Sequence, residues 1–305
     1  MFFKSLAVAF AIGSVSAQRP SNTSICDFYT TALLQNNTAA NQRTLLTLLV
    51  NTAVIGNYTQ PNVGVSVPGI LAAGTYNGTA VNLLPYFNGG LASTNRGGNA
   101  GQAVNFLDGG GAAPLRSNMP ANDQNSNQYT LLTHLYEYFG SLLGCTQMNT
   151  TAFPSYNGAA SQYNVHKFMD LSPFEVGYFI QQVALSASSF GVAQSDIAVA
   201  GTALNTLFNV RCAPPTVVVP SQPAELQSIC LENTCPLAPN NTCSAYAASV
   251  QPAVANATLA GNTTSTTPGG STQTTATSGV GRVVAELSGA VVSSVLLAGV
   301  FVFLL

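Results

Sequence analysis

The sequence contains two histidines, His134 and His166, and their imidazoles are its best candidates for metal binding or acid–base chemistry. His166 is followed closely by Phe168 and Met169, so its surroundings are apolar. A neutral imidazole on an apolar wall can bind a metal ion through its free nitrogen. The alternative is a core histidine held by a hydrogen bond, with Asp170 four residues later as a candidate partner.

His134 has a weaker claim to a functional role. Glu137 lies one helical turn later, and this spacing favours an ordinary surface pair. A copper site is a distant alternative, in which Met148 and Met169 would supply thioether ligands beside the two histidines. Nothing in the sequence fixes those side chains together.

Helices are predicted to position both histidines. The segment 127–143 carries apolar residues on two adjoining helical faces, and 195–210 has one apolar stripe. The segment 162–169 is predicted to be a short helix. Short joins connect these helices, so they are expected to pack together.

A further helix is marked by its capping residues. Ser172 and Glu175 have the spacing of a capping box, and the helix that they start is expected to end at Gly191. An earlier helix over 41–55 has apolar positions on most of its surface and is expected to be buried. The fold class predicted for the body, residues 18–212, is therefore all-α.

The stretch 56–125 separates the early helix from the later ones and is rich in Gly and Asn. Its glycine-rich run 87–111 has neither the P-loop spacing nor the dinucleotide-turn spacing, and no G-x-S-x-G nucleophile elbow is present. This stretch is predicted to be a long loop insertion with short strands or single turns.

The order of the later segments resembles the truncated, two-over-two haemoglobins. The resemblance covers 126–212 and is carried by the strings LTHLYEYFGSLLG, YNGAASQYNVHKFM, DLSPFEVGYFIQQVALSASSFGV and SDIAVAGTALNTL. In that family a long helix ends in a glycine turn, a Tyr-x-Gly linker follows, and a short segment carries the haem-ligating histidine. The resemblance implies a globin-like helical core that binds haem b.

The family's functional positions carry over to particular residues of this chain. His166 takes the place of the proximal ligand, and Leu131 and Leu135 fall on the helix that lines the distal side. Phe87 corresponds to the phenylalanine that packs on the haem, and Phe168 would help to bury it. These residues form the predicted haem site, and no catalytic residue is assigned.

Both ends of the chain carry address signals. Residues 1–17 have one Lys, a short apolar run and small residues, which is typical of a secretory signal peptide. Residues 279–305 end in an uncharged apolar run and follow small residues, which indicates a glycosylphosphatidylinositol (GPI) signal with Ser278 as the attachment site. The alternative is a single membrane span, which cytoplasmic Lys or Arg would normally follow.

Composition also favours a secreted surface protein. Charged residues make up 6% of the chain and the net charge is -2, so nothing suggests binding to nucleic acid. N-glycosylation sequons would supply the missing surface polarity. They occur at Asn22, Asn36, Asn57, Asn77, Asn149, Asn240, Asn256 and Asn262.

The six cysteines are predicted to form disulfides in an oxidising compartment. They are Cys26, Cys145, Cys212, Cys230, Cys235 and Cys243. Three lie in the body and three follow it, so full pairing requires at least one bridge between the two parts. The segment 213–278, with cysteines first and Ser/Thr-rich sequence afterwards, is predicted to be a disordered stalk.

Signal, stalk and anchor together resemble fungal surface mannoproteins in composition. The predicted function is a GPI-anchored surface glycoprotein, held at the plasma membrane or cell wall, whose helical domain binds haem. It would use haem for capture or for O₂, NO or peroxide chemistry, so enzymatic activity stays open. The alternative is a structural or adhesive wall glycoprotein with no cofactor.

Overall fold

The computed structural model describes residues 18–96 and 98–261. Within these ranges the chain forms eight α-helices and two small antiparallel sheets. The helices are α1 (Ile25–Leu34), α2 (Ala39–Ile55), α3 (Leu84–Phe87), α4 (Ala112–Arg116), α5 (Asn127–Leu142), α6 (Gln162–His166), α7 (Pro173–Ser189) and α8 (Gln194–Phe208). The strands are β1 (Gly74–Tyr76), β2 (Thr79–Val81), β3 (Asn88–Thr94), β4 (Gln102–Asn105) and β5 (Ala253–Val254).

The all-α prediction is therefore wrong, and the described fold is mixed. Its strands come from two regions without helical periodicity, the insertion 56–125 and the chain after Cys212. The longest strand has seven residues, and β5 obtains its hydrogen bonds from β3, which is far away in sequence. The Asn77-Gly78 turn between β1 and β2 is a local hairpin signal that the prediction did not use. The helices predicted in the later part of the body are confirmed as α5, α6, α7 and α8.

Local capping explains where most of these helices begin. Five of them follow a Ser or Thr whose hydroxyl accepts a hydrogen bond from a backbone N–H three residues later. These residues are Ser24, Thr38, Ser126, Ser161 and Ser172. At α7 the complete capping box is present, because Glu175 also accepts from the backbone N–H of Ser172 at 2.8 Å.

Helix α2 lies at the centre and packs against α1, α5 and α7, while α8 packs on α7. Its burial matches the prediction for an early helix that is apolar over most of its surface. One polar side chain in this interior, Asn51, is fully satisfied: it accepts from the Tyr136 hydroxyl at 2.6 Å and donates to the Leu115 carbonyl at 3.1 Å.

The insertion contributes a hairpin and most of a three-stranded sheet. In the hairpin β1 pairs with β2, and the connecting residues Asn77 and Gly78 both have positive φ, as a two-residue hairpin turn requires. In the larger sheet β3 lies between β4 and β5. The insertion is thus an ordered part of the body.

The chain after Cys212 also folds onto the body. Val219, Ile229 and Cys230 are buried, and β5 adds to the sheet by pairing with β3. The stalk prediction is therefore wrong for 213–261. It failed because this segment has too few large apolar residues to fold alone, yet it buries those few against helices that are already formed. Residues 262–278 lie outside the described part of the chain.

All six cysteines are paired in the structure. The bridges are Cys26–Cys145, Cys212–Cys243 and Cys230–Cys235. The second of them joins the body to the segment after Cys212, as the distribution of the cysteines requires.

The seven sequons within the described ranges all lie on exposed asparagines, and Asn262 falls outside those ranges. The predicted signal peptide, the anchor signal and Ser278 likewise lie outside them. Among the described helices, none is long and apolar enough to cross a membrane.

Candidate functional site

An apolar cavity of about 150 Å³ lies where α3, α5, α6, α7 and α8 meet, and His166 is in its wall. The surrounding side chains are mostly aliphatic and aromatic, and they include Phe87, Leu131, Leu135, Met169, Phe179 and Phe208. An empty apolar space of this volume would cost about 3 to 4 kcal/mol of stability in a packed core. A cavity with this cost in stability is the first indication of a ligand site.

His166 is the last residue of α6, and its ring is oriented by the backbone of its own helix. Nδ1 lies 2.8 Å from the carbonyl oxygen of Gln162. A carbonyl can only accept, so Nδ1 carries the proton and the lone pair is on Nε2. Burial lowers the pKa of His166, and the hydrogen bond to Gln162 offsets part of that effect. The lowered pKa favours the neutral imidazole, and the hydrogen bond at Nδ1 selects the tautomer that a metal ligand needs.

Helix α5 presents Leu131, Leu135 and Tyr138 to the cavity, at a spacing of four and then three residues. The Tyr138 hydroxyl is buried and has no hydrogen-bond partner among the described residues. Burial also raises the pKa of Tyr138, which keeps the phenol protonated and able to donate. Tyr138, a residue of the cavity wall, thus carries a donor without a partner in the described part of the chain.

Phe87 reaches the cavity from the short helix α3, which a hydrogen bond ties to α7. The Tyr86 hydroxyl donates to Oε1 of Glu175 at 3.0 Å, and Tyr86 and Glu175 both line the cavity. Glu175 is the only acidic side chain among the described lining residues, and His166 is the only basic one. A sequence segment from the insertion is thereby fixed against the later helices.

Four of the five predicted site residues meet at this cavity: His166, Leu131, Leu135 and Phe87. Phe168 does not line it, and Lys167 Nζ lies 5.1 Å from the centre of its ring. A position two residues after His166 lies on a different side of the turn, whereas Met169, three residues after, faces the cavity.

The prediction that Asp170 would form a hydrogen bond with His166 was also wrong. Asp170 accepts from the Gln251 side chain, and the His166 ring donates to the Gln162 carbonyl. Met169, Tyr86 and Phe208 line the cavity without having been assigned to the site. Helical spacing from His166 could have indicated Met169, but only tertiary contacts reveal the other two.

His134 lies away from this cavity. Its ring stacks edge to face on Tyr156 at 5.6 Å between centroids, and burial lowers its pKa. The predicted surface pair with Glu137 is absent within the described ranges, where Glu137 is 6% exposed and the ion pair found joins Arg19 to Asp196.

The four residues of the alternative copper site do not lie together. His166 and Met169 share the cavity, whereas Met148 packs near Gly140 and does not line it. In the part of the chain that the structure describes, no group of three His, Cys, Asp or Glu side chains is arranged to hold a metal ion.

The chemistry of the cavity fits haem, while its resting volume is small. A free imidazole nitrogen, apolar walls and an unpaired phenol suit an iron porphyrin with a further ligand. Pockets for drug-sized ligands usually exceed about 300 Å³. A second apolar cavity of about 70 Å³ shares Leu135, Phe139 and Phe179 with the first, and the two volumes together are still smaller than that.

No protein-family model, curated protein or solved structure matches this chain. The resemblance to truncated haemoglobins therefore stays a prediction from sequence. The candidate site rests on its own geometry.

Proposed function

We propose that this protein is a GPI-anchored surface glycoprotein whose described domain binds haem b, with His166 as the axial ligand. The observation that carries the proposal is the His166 ring, fixed through Nδ1 to the Gln162 carbonyl inside an apolar cavity. Bound iron would supply a centre for haem capture or for O₂, NO or peroxide chemistry.

The chain's own residues would do the binding. Leu131, Leu135 and Phe87 would cover the porphyrin faces, and His166 would donate Nε2 to the iron. Glu175 is the acidic side chain in the cavity wall and would repel the carboxylates of a bound haem. Three disulfides and seven exposed sequons are compatible with life outside the cell.

The test is a haem titration of the intact glycoprotein, followed by the Soret band. Wild type should show a saturable shift, and His166→Ala should lose the axial ligand and weaken haem retention at least tenfold. The matched control is His134→Ala, which removes a half-buried imidazole outside the cavity and should leave the titration unchanged.

Release from cells by phosphatidylinositol-specific phospholipase C supplies the protein for this titration and tests the anchor. A mature chain that keeps Leu305 would contradict the anchor. Equal haem binding by wild type and His166→Ala would contradict the haem site.

The cavity volume favours a second candidate, a smaller apolar ligand. A space of about 150 Å³ lined by apolar side chains can hold a molecule of the size of benzene. If small aromatic compounds raise the unfolding temperature and haem gives no Soret shift, this second function replaces the first. If neither ligand binds, the remaining hypothesis is a structural or adhesive wall glycoprotein without a cofactor.

A further inference from the structure

A polar cleft of about 310 Å³ shares Tyr86, Met169 and Glu175 with the His166 cavity. Three carboxylates line it: Asp170, Glu175 and Glu232. No Lys, Arg or His is among its described lining residues. The cleft is therefore negatively charged and rich in hydrogen-bond acceptors.

Three distant parts of the chain build this cleft. The hairpin region contributes 79–82, the segment before and into α7 contributes 169–175, and the chain after Cys212 contributes Glu232 and Gln251. Burial raises the pKa of Tyr86, and the charges of Glu175, Asp170 and Glu232 raise it further. The three carboxylates thus surround one phenol, although Glu232 is far from Asp170 and Glu175 in sequence.

One carboxylate oxygen of Asp170 has no hydrogen-bond partner among the described residues. Asp170 is 8% exposed, and its Oδ2 accepts from Nε2 of Gln251 at 2.5 Å. Its other carboxylate oxygen, Oδ1, is buried and has no hydrogen-bond partner within the described ranges. A buried carboxylate oxygen without a donor is costly, so this oxygen indicates a donor supplied from outside the chain.

A single metal ion does not suit these carboxylates. They are not arranged as a metal-binding group of three in the described structure. Separate carboxylates match N–H donors that are spaced along an organic cation, each forming a charge-assisted hydrogen bond. We propose that the cleft binds a small organic cation with several ammonium groups, with Asp170 and Glu232 as its principal acceptors.

The probe is spermidine, added to the full-length glycoprotein in a calorimetric titration at low ionic strength. Wild type should bind it with saturable, one-to-one stoichiometry, and added salt should weaken binding. Glu232→Gln removes one charge from a half-buried position and should lower affinity by about tenfold, since a charge-assisted hydrogen bond contributes roughly 1.5 kcal/mol. Asp170→Asn should have at least the same effect.

The matched control is Glu225→Gln, because Glu225 is a partly exposed carboxylate near Glu232 in sequence that does not line the cleft. Equal loss of affinity in Glu225→Gln and Glu232→Gln would show nonspecific charge attraction and overturn the proposal. Tighter binding of Ca²⁺ than of spermidine, with competition between them, would overturn it in favour of a metal site. This titration needs no haem and is independent of the haem proposal.

Discussion

Glu137 is a carboxylate that helix α5 holds inside the protein, at 6% exposure. Burial raises the pKa of Glu137 to about 6, and the charge of Arg43 opposes that rise. The ionised form is thus disfavoured in the native state. In an unfolded chain the same carboxyl ionises near its ordinary value of 4.5.

Stability should therefore depend on pH through this residue. Between pH 4.5 and 6 the native state binds more protons than the unfolded state, so stability falls as pH rises through that range. The full contribution of Glu137 is present below pH 4.5 and is lost above the native pKa of about 6. It amounts to at most about 2 kcal/mol.

Glu137→Gln should remove this dependence. Urea unfolding of both proteins from pH 4 to pH 8 measures it, as the difference between the two free energies of unfolding. The variant should be more stable than wild type at pH 8 and lose that advantage near pH 4. A difference that does not change with pH would show that Glu137 titrates normally.

At the scale of elements, the end of α2 crosses the segment 67–71 at very close range. Gly56 and Gly69 both have positive φ, and a Cβ built on Gly69 would lie 2.4 Å from the backbone nitrogen of Gly56. Ile70 donates its N–H to the carbonyl of Ala53 at 2.9 Å across this crossing. The insertion is attached to the helices here, so the crossing tolerates no side chain.

Gly69→Ala should lower the free energy of unfolding by about 3 kcal/mol or more, because it adds overpacking to an unfavourable φ. The control is Gly64→Ala, whose φ is also positive but whose added Cβ would meet nothing within 4 Å. That variant should lose only about 1 to 2 kcal/mol. Chemical denaturation measures both, and equal losses would contradict the steric explanation.

For the whole molecule, the disulfides differ most in the length of chain that they close. Cys26–Cys145 spans 119 residues and fixes α1 to the end of α5, whereas Cys230–Cys235 spans 5. A longer closed loop removes more conformational freedom from the unfolded chain. The first bridge is therefore the main covalent restraint on the helical part.

Replacing Cys26 and Cys145 together by Ser should lower stability by about 5 kcal/mol in the loop-entropy model. The same replacement of Cys230 and Cys235 should cost about 2 kcal/mol, and it serves as the control for burying two hydroxyls. Thermal unfolding of the two variants gives the comparison. A smaller loss for the Cys26 and Cys145 pair would show that loop length does not govern how much each disulfide stabilises the protein.

The sequence by itself determined the features that depend on nearest neighbours along the chain. Apolar spacing and the capping box at Ser172 placed α2, α5, α7 and α8 to within a few residues. These signals suffice because a helix makes its hydrogen bonds within itself. The same periodicity put Leu131 and Leu135 on the face of α5 that lines the cavity.

Only the tertiary structure decided which distant residues meet. The pairing of β5 with β3, the folding of 213–261 onto the body, and the approach of Tyr86 to Glu175 depend on partners far away in sequence. A strand obtains its hydrogen bonds from another strand, and a short apolar segment becomes stable only when a surface exists to bury it. For this reason α2, α5, α7 and α8 were predictable, whereas the pairing of β5 with β3, the acidic cleft and the exclusion of Phe168 from the cavity were not.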